Sequence, residues 1–142
     1  MKSKQMENNE DLAQKLKEHR LKATLQRIAV LSVLKQSKDH PSAEMVMVKL
    51  RANGIHMSFA TVYNVLETFV ESGLIAKLAG CDEIMRFDYN TDFHIHIYDA
   101  ATGSIRDYMD DNFCGYLSDY VRNHLGVDKE IQKIDMFIQI KS

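Results

Sequence analysis

Two histidines, His94 and His96, stand two residues apart in the segment RFDYNTDFHIHIYDAATGSIRDY, residues 86–108. Polar and apolar residues alternate around them, which is typical of a β-strand, and strand residues i and i+2 point to the same face. The two imidazoles are therefore expected side by side, with the carboxylates of Asp88 and Asp107 in the same segment. Imidazole nitrogens and carboxylate oxygens together suit zinc, iron and manganese. The pattern predicts a metal site.

Four predicted helices precede the segment that contains the two histidines. Apolar residues at helical spacing predict helices in DLAQKLKEHRL, in TLQRIAVLSVLKQS after a cap at Thr24, in PSAEMVMVKLRANG, and in SFATVYNVLETFVESG between Ser58 and Gly73. Two short apolar runs, LIAKL and IMRFDY, follow with the turn-rich spacer AGCDE between them and predict a hairpin. This order is typical of a winged helix-turn-helix, whose last helix before the wing enters the major groove of DNA.

The outward face of that last helix is suited to reading bases. If Val62, Val65, Leu66 and Phe69 face the core, then Ala60, Tyr63, Asn64 and Glu67 face outward. An aromatic ring can lie against thymine methyl groups, and an amide can bond to base edges. The alternative is an ordinary solvated surface with one partly buried tyrosine.

The charge distribution favours the DNA-binding interpretation. Residues 12–80 carry ten Lys or Arg against five Asp or Glu, whereas residues 91–142 carry five against nine. A basic front half suits a polyanion, and phosphate contacts supply much of the affinity for DNA. Basic residues flank the helix at Lys15, Lys22, Arg27, Lys49 and Arg51. The predicted DNA-binding residues are Lys15, Lys22, Arg27, Ser58, Ala60, Thr61, Tyr63 and Asn64.

The second half predicts a small α/β unit. Strands around the histidines are followed by an amphipathic helix in DDNFCGYLSDYVRNHLG and by the alternating strand IDMFIQIKS. So few residues cannot bury both faces of a sheet, and a symmetric homodimer would cover them. The predicted fold class is α+β, with a winged helix-turn-helix DNA-binding domain at residues 1–88 and an α/β dimerisation and metal-sensing domain at residues 89–142.

Other sequence features indicate where in the cell the protein is expected. No apolar run is long enough to predict a membrane span, and the first residues lack the apolar stretch of a signal peptide. Cys81 and Cys114 form no CxxC motif and are expected to be unpaired, partly buried thiols. A cytoplasmic location without membrane association is the expectation.

The blocks LKATLQRIAVLSVL, HPSAEMV, SFATVYNVLETFVESGLI, RFDY, HIH and TGSIRDY resemble the ferric uptake regulator superfamily from about Leu12 onward. The resemblance implies a repressor that binds double-stranded operator DNA as a homodimer, with a hinge near residues 88–92. It also implies one regulatory metal site, holding Fe(2+) or Mn(2+) and accepting Zn(2+) in purified protein. The implied ligands are His40, Asp88, His94, His96 and Asp107.

Two positions make the chain most similar to the peroxide-sensing branch of that superfamily. These are Asp107, where iron-sensing relatives tend to carry Glu, and Asn64, where they tend to carry Arg. The branch implies that Fe(2+) and peroxide oxidise ligand histidines, His40 or His94. Most relatives also hold a structural zinc with four cysteines, but here Asp99 and Thr102 replace the first pair, so a four-cysteine zinc is excluded. Some relatives also have a third metal site, which needs a carboxylate between the two histidines, but Ile95 occupies that position here.

Several alternatives stay open at this point. Within the same family the chain could respond to iron, manganese, zinc or haem without peroxide chemistry. The HxH motif with carboxylates could instead belong to a non-haem iron or cupin-type enzyme, although such an enzyme needs a glycine-rich β-barrel and the chain has six glycines. A winged-helix protein that binds no metal and responds to a partner is the third alternative. The leading prediction is a regulator and not an enzyme.

Overall fold

Four helices precede the first strand in the computed structural model, which describes residues 4–79, 83–92, 94–126 and 134–142, with side chains from residue 8 onward. The helices are α1 (Lys4–Glu18), α2 (Leu25–Gln36), α3 (Ala43–Ala52) and α4 (Phe59–Glu71). Among the described residues, no helix is both long and apolar enough to cross a membrane.

Side-chain caps fix where the helices begin. The hydroxyl oxygens of Thr24, Ser42 and Ser58 each accept the backbone N–H three residues ahead, which satisfies one of the unpaired donors of the first helical turn. Gly54 and Gly73 end α3 and α4 with φ of 77°, a left-handed conformation that glycine adopts without steric cost. The predicted starts at Thr24 and Ser58 and the predicted stop at Gly73 are confirmed.

The chain divides into two compact units, and the core of the first, Met1–Thr91, is formed by these helices and a short hairpin. Strands β1 (Ala76–Ala79) and β2 (Met85–Asp88) pair antiparallel, with Ala76 opposite Asp88. The largest fully buried side chains are Leu12, Leu16, Val30, Leu31, Leu34, Val46, Leu50, Val62, Leu66, Phe69, Leu74 and Phe87. Each such burial stabilises the fold by about 1.5–3 kcal/mol. Three helices, a fourth amphipathic helix and a hairpin form the predicted winged helix-turn-helix.

The second unit holds a three-stranded sheet and one helix. Its elements are β3 (Ile95–Asp99), β4 (Ile105–Tyr108), α5 (Asp111–His124) and β5 (Met136–Ile140). The sheet order is β4–β3–β5, with β4 antiparallel and β5 parallel to the central strand. Internal contacts divide the chain after Thr91, whereas the sequence placed the boundary after Asp88. The α+β fold class is confirmed.

Strand register decides which side chains share the histidine face of this sheet. His96 on β3 lies opposite Asp107 on β4 and opposite Phe137 on β5. The alternating residues Ile95 and Ile97 therefore point to the other face. The described strands form open sheets of two and three strands, and not the barrel that a cupin-type enzyme would need.

The end of β3 is closed by a carboxylate. Asp99 accepts hydrogen bonds from the Ser142 hydroxyl at 2.7 Å and from the Ala101 backbone N–H at 2.9 Å. The hydrogen bond from Ser142 is the main reason that the pKa of Asp99 lies below its usual value. Asp99 stands where most relatives are expected to carry a zinc-binding cysteine. Its hydrogen bonds link the turn after β3 to Ser142.

Candidate metal centre and nucleic-acid interface

Three potential metal ligands meet on one face of the second unit. His94 and His96 lie with ring centroids 4.3 Å apart and planes at 71°. The Oδ1 atom of Asp107 lies 3.4 Å from His94 Nε2 and 3.2 Å from His96 Nδ1. We call these three residues the second-unit cluster. The prediction that the two imidazoles project side by side is borne out by this geometry.

A backbone carbonyl determines which nitrogen of His94 is available. The Nδ1 atom of His94 lies 2.7 Å from the carbonyl oxygen of Asp92. Since a carbonyl oxygen only accepts hydrogen bonds, Nδ1 carries the proton and Nε2 keeps its lone pair. A hydrogen bond of this kind fixes the tautomer and ring direction of metal-binding histidines. The role of Asp92 was not visible in the sequence, because a backbone group leaves no signal in residue type.

Burial distinguishes the members of the second-unit cluster. The side chains of His94 and His96 are almost wholly buried, whereas the side chain of Asp107 is 31% exposed. Phe137 stacks on His96 with a centroid distance of 4.8 Å, which limits the rotation of this imidazole. The cluster therefore has fixed imidazoles and one carboxylate that solvent can reach.

The first unit holds a second pair of candidate ligands. His40 lies just before the cap of α3, Asp88 ends β2, and both are buried. His40 Nδ1 and Asp88 Oδ2 are 3.5 Å apart, and Asp88 Oδ1 accepts the N–H of Asn90 at 2.9 Å. We call His40 and Asp88 the first-unit pair. Although 48 positions separate them in the chain (88 minus 40), the fold brings them together.

The donor chemistry fits a divalent transition metal. In each group, every residue offers a ligand atom within 4.8 Å of those of its partners. Nitrogen and carboxylate oxygen donors without thiolates suit manganese, iron and zinc. All five residues predicted as ligands thus lie in one of two groups with the necessary atoms. That the two groups share one ion stays a prediction.

The predicted reading face of α4 is open to solvent at four of its positions. Ser58, Ala60, Tyr63 and Asn64 are exposed, and Thr61 is half-buried with its hydroxyl 2.8 Å from that of Ser58. Short polar and aromatic side chains on this surface are compatible with contacts to base edges.

Glu67, which the helical period placed on the outward face of α4, is paired with the neighbouring hairpin. Its carboxylate accepts a hydrogen bond from Lys77 Nζ on β1 at 2.6 Å, and both side chains are 29% exposed. This bond raises the pKa of Lys77 above its ordinary value. Glu67 therefore ties the helix to the hairpin and is not a free reading group.

One aromatic residue beside the reading face was not predicted from the sequence. Phe59, the first residue of α4, is 43% exposed and stacks on Tyr63 with centroids 6.2 Å apart. Lys77 Nζ lies 6.0 Å from the centre of the Tyr63 ring. Two aromatic residues at i and i+4, near the start of the helix, were the signal that could have identified this pair.

The predicted phosphate-contacting residues differ in how they are held. Lys22 is exposed, and its carbonyl accepts a hydrogen bond from Arg27 Nη1 at 3.1 Å. Lys15 Nζ lies 3.7 Å above the ring of Tyr89, a cation–π contact. Lys49 pairs with Asp39 at 2.9 Å. Their contacts with DNA stay predictions.

The two cysteines lie apart from the candidate ligands in sequence. Cys114 is half-buried on α5, as expected for a structural thiol. Cys81 lies outside the described residues.

Comparison with known proteins gives consistent matches. Residues 18–136 match the profile of the ferric uptake regulator family. The peroxide operon regulator of Bacillus subtilis is 41% identical over 93 residues, which cover 66% of this chain and 64% of that protein. The chain thus spans less than two thirds of the length of this curated relative.

Solved structures match along more of the chain. The ferric uptake regulator of Pseudomonas aeruginosa, solved with manganese, is 26% identical with a TM-score of 0.79, covering 92% of this chain and 97% of the other. The peroxide stress regulator of Campylobacter jejuni is 27% identical with a TM-score of 0.74, covering 92% and 96%. Both the fold and the sequence thus point to one family.

Proposed function

We propose that this chain, which belongs to the ferric uptake regulator family, is a metal-dependent repressor that binds operator DNA as a homodimer. The observation that carries the proposal is the second-unit cluster, in which two oriented imidazoles and a carboxylate share one face of a sheet. This unit follows a winged helix-turn-helix whose reading helix exposes Tyr63 and Asn64.

The first step is metal binding by both units. We propose that His40 and Asp88 of the first unit and His94, His96 and Asp107 of the second unit hold one divalent cation, Fe(2+) or Mn(2+). A ligand set drawn from both units fixes their relative orientation when the ion is bound. The lone pair of His94 Nε2, freed by the Asp92 carbonyl, serves as one of the donors.

The second step is linkage between metal and DNA. The two reading helices of a dimer must match the spacing of two half-sites, so only some orientations of the units are competent. An ion that binds the competent orientation better than the others raises DNA affinity, and DNA raises metal affinity by the same factor. The exposed face of α4 reads bases, and Lys15, Lys22 and Arg27 contact phosphates.

The third step is loss of the ion on exposure to peroxide. A bound Fe(2+) would supply the redox chemistry that opens the O–O bond of peroxide, and it would be unchanged in the net reaction. In the net reaction, one peroxide oxygen is added to the ring of His40 or His94 and the other leaves as water. The ring loses two electrons and the peroxide gains them. An oxidised imidazole is a weaker donor, so the ion and then the DNA dissociate.

The similarity to the Bacillus subtilis peroxide operon regulator supports this last step. The alternative is a regulator of the same family that responds to iron, manganese, zinc or haem through the same residues and has no peroxide chemistry.

The test is metal-dependent DNA binding. A duplex selected from random sequences in the presence of Mn(2+) would serve as the operator, with affinity measured by fluorescence anisotropy. We expect Mn(2+) to raise the affinity on the order of 5–150-fold, the usual range of coupling between two sites. His94→Ala should abolish this gain.

A matched variant controls for the loss of a histidine. His56 is exposed and belongs to neither ligand group, so His56→Ala should keep the Mn(2+) affinity of the wild type in calorimetry. The proposal is wrong if chelation of the metal leaves the affinity for the selected duplex unchanged.

A further inference from the structure

The backbone of His40 adopts a conformation that its sequence position disfavours. Its φ is 46°, in the left-handed region that residues with a side chain seldom adopt. His40 also precedes Pro41, and the proline ring favours an extended conformation for the preceding residue. A non-glycine residue in this region persists only when the surrounding structure holds it there.

Strand β2 supplies the contacts that hold this conformation. Arg86, which is 8% exposed, donates hydrogen bonds from Nη1 to the carbonyl oxygen of His40 at 3.2 Å and to that of Asp39 at 3.5 Å. The next residue, Phe87, donates its backbone N–H to the carbonyl oxygen of Pro41 at 3.0 Å. Three successive carbonyls of the strained segment are thus bound by two successive residues of one strand.

The same strand ends at Asp88, the partner of His40. Because Arg86 and Phe87 fix the segment at residues 39–41 against β2, the imidazole of His40 is brought to 3.5 Å from the Asp88 carboxylate. A flexible segment would have to lose conformational freedom on binding a metal, whereas this one has already lost it. The ordering cost is met during folding of the first unit.

We infer that Arg86 is a positioning residue for the metal site: its guanidinium holds His40 in the left-handed backbone conformation that directs the imidazole toward Asp88. The inference rests on the proposed function, because it concerns the ligands proposed there. Arg86 is not itself a ligand, since a guanidinium has no lone pair to offer a cation. Both hydrogen bonds come from one nitrogen, Nη1, whose N–H directions are fixed by the planar guanidinium, whereas a lysine ammonium rotates freely on its flexible stem.

The test uses Co(2+) alone as the probe, because its visible absorption reports the number and type of its ligands. Arg86→Met keeps much of the side-chain volume and removes every donor. We expect the Co(2+) dissociation constant of Arg86→Met to rise on the order of 10–100-fold, the usual effect of losing a group that orients a ligand. Its spectrum should resemble that of His40→Ala. Arg86→Lys should be intermediate, and Arg20→Met, which changes an exposed arginine, should match the wild type.

A purely structural role would give a different result. In that case Arg86→Met would lower the unfolding temperature of the metal-free protein, measured by circular dichroism, but the folded protein would keep the wild-type spectrum and affinity. That result overturns the inference. If Arg86→Met does not fold, the same two measurements on Arg86→Lys decide.

The wild type and His40→Ala separate this inference from the proposed function. Wild-type protein that binds no Co(2+), or binds it equally well after His40→Ala, would overturn both. Wild-type binding that depends on His40 but not on Arg86 would overturn the role of Arg86 alone.

Discussion

At the scale of single residues, His40 and His94 are held in different ways. The ring of His94 is oriented by a hydrogen bond from Nδ1 to the Asp92 carbonyl, whereas His40 is oriented through its backbone by Arg86. Both imidazoles are buried, so neither is exposed to oxidants dispersed in solution. Oxidation of either ring would therefore have to begin at a metal bound beside it.

This leads to a prediction about where peroxide acts. Protein loaded with Fe(2+) and treated with peroxide should gain one oxygen on the peptide carrying His40 or the peptide carrying His94, as measured by peptide mass spectrometry. An oxidant formed at a bound ion reacts within ångströms, so the ligand rings are its nearest targets. Protein loaded with Mn(2+) should show no added oxygen on either peptide.

The cysteines provide the control for this experiment. Cys81 and Cys114 are not among the proposed ligands, so replacing both with serine should leave the peroxide response intact. Oxidation that falls on the cysteines, or a cysteine-free variant that no longer responds, would contradict the metal-catalysed mechanism.

The residue scale also shows what sequence can and cannot predict. The i, i+2 spacing of His94 and His96 predicted their common face, because the period of a strand is local. The hydrogen bond from Arg86 to His40 joins residues 46 positions apart, and no local period predicts such a contact. The left-handed φ of His40 was equally hidden, since the following proline favours an extended backbone.

At the scale of elements, α4 combines a buried stripe with an exposed reading face. Val62, Leu66 and Phe69 are buried while Tyr63 and Asn64 are exposed, as the helical period predicted. Glu67 is also partly exposed, but the chain reverses at Gly73 and brings Lys77 of β1 to its carboxylate. The period of a helix gives the direction of a side chain but not the partner that the next element presents.

The reading face gives a prediction about specificity. Asn64→Arg should change the ratio of affinities for two operators that differ at a single base pair, by about 1–3 kcal/mol if a paired base contact is exchanged.

Lys22→Ala should instead weaken binding to all duplexes alike and reduce the slope of affinity against salt by about one, because it removes a phosphate contact. Both are measured by anisotropy titrations at several salt concentrations.

Lys141→Ala is the matched control for Lys22→Ala, since it removes an equal charge from an exposed lysine of the second unit. It should leave the salt slope close to that of the wild type. The assignment of α4 as the reading helix fails if Asn64→Arg does not alter the preference between the two operators.

At the scale of the whole molecule, the two units differ in how much apolar surface they bury. The first unit has a continuous core of fully buried Leu, Val and Phe side chains. In the second unit α5 is amphipathic in sequence, yet none of its residues is buried. Asp99 and Ser142 close one end of the described sheet with hydrogen bonds, but such bonds do not cover an apolar face.

The exposed apolar residues of the second unit predict a homodimer formed by residues 95–142. Tyr116 is 64% exposed, Leu125 65% and Ile138 43%, a concentration of apolar surface that a second copy would bury. Light scattering should give the mass of a dimer at micromolar concentration, and Tyr116→Glu should shift the protein toward the monomer, because the interface would have to bury the new carboxylate. Leu25→Glu is the matched control, since Leu25 is 87% exposed in the first unit and its replacement should leave the dimer intact. A wild-type monomer at that concentration, with and without metal, would show that this surface serves another purpose.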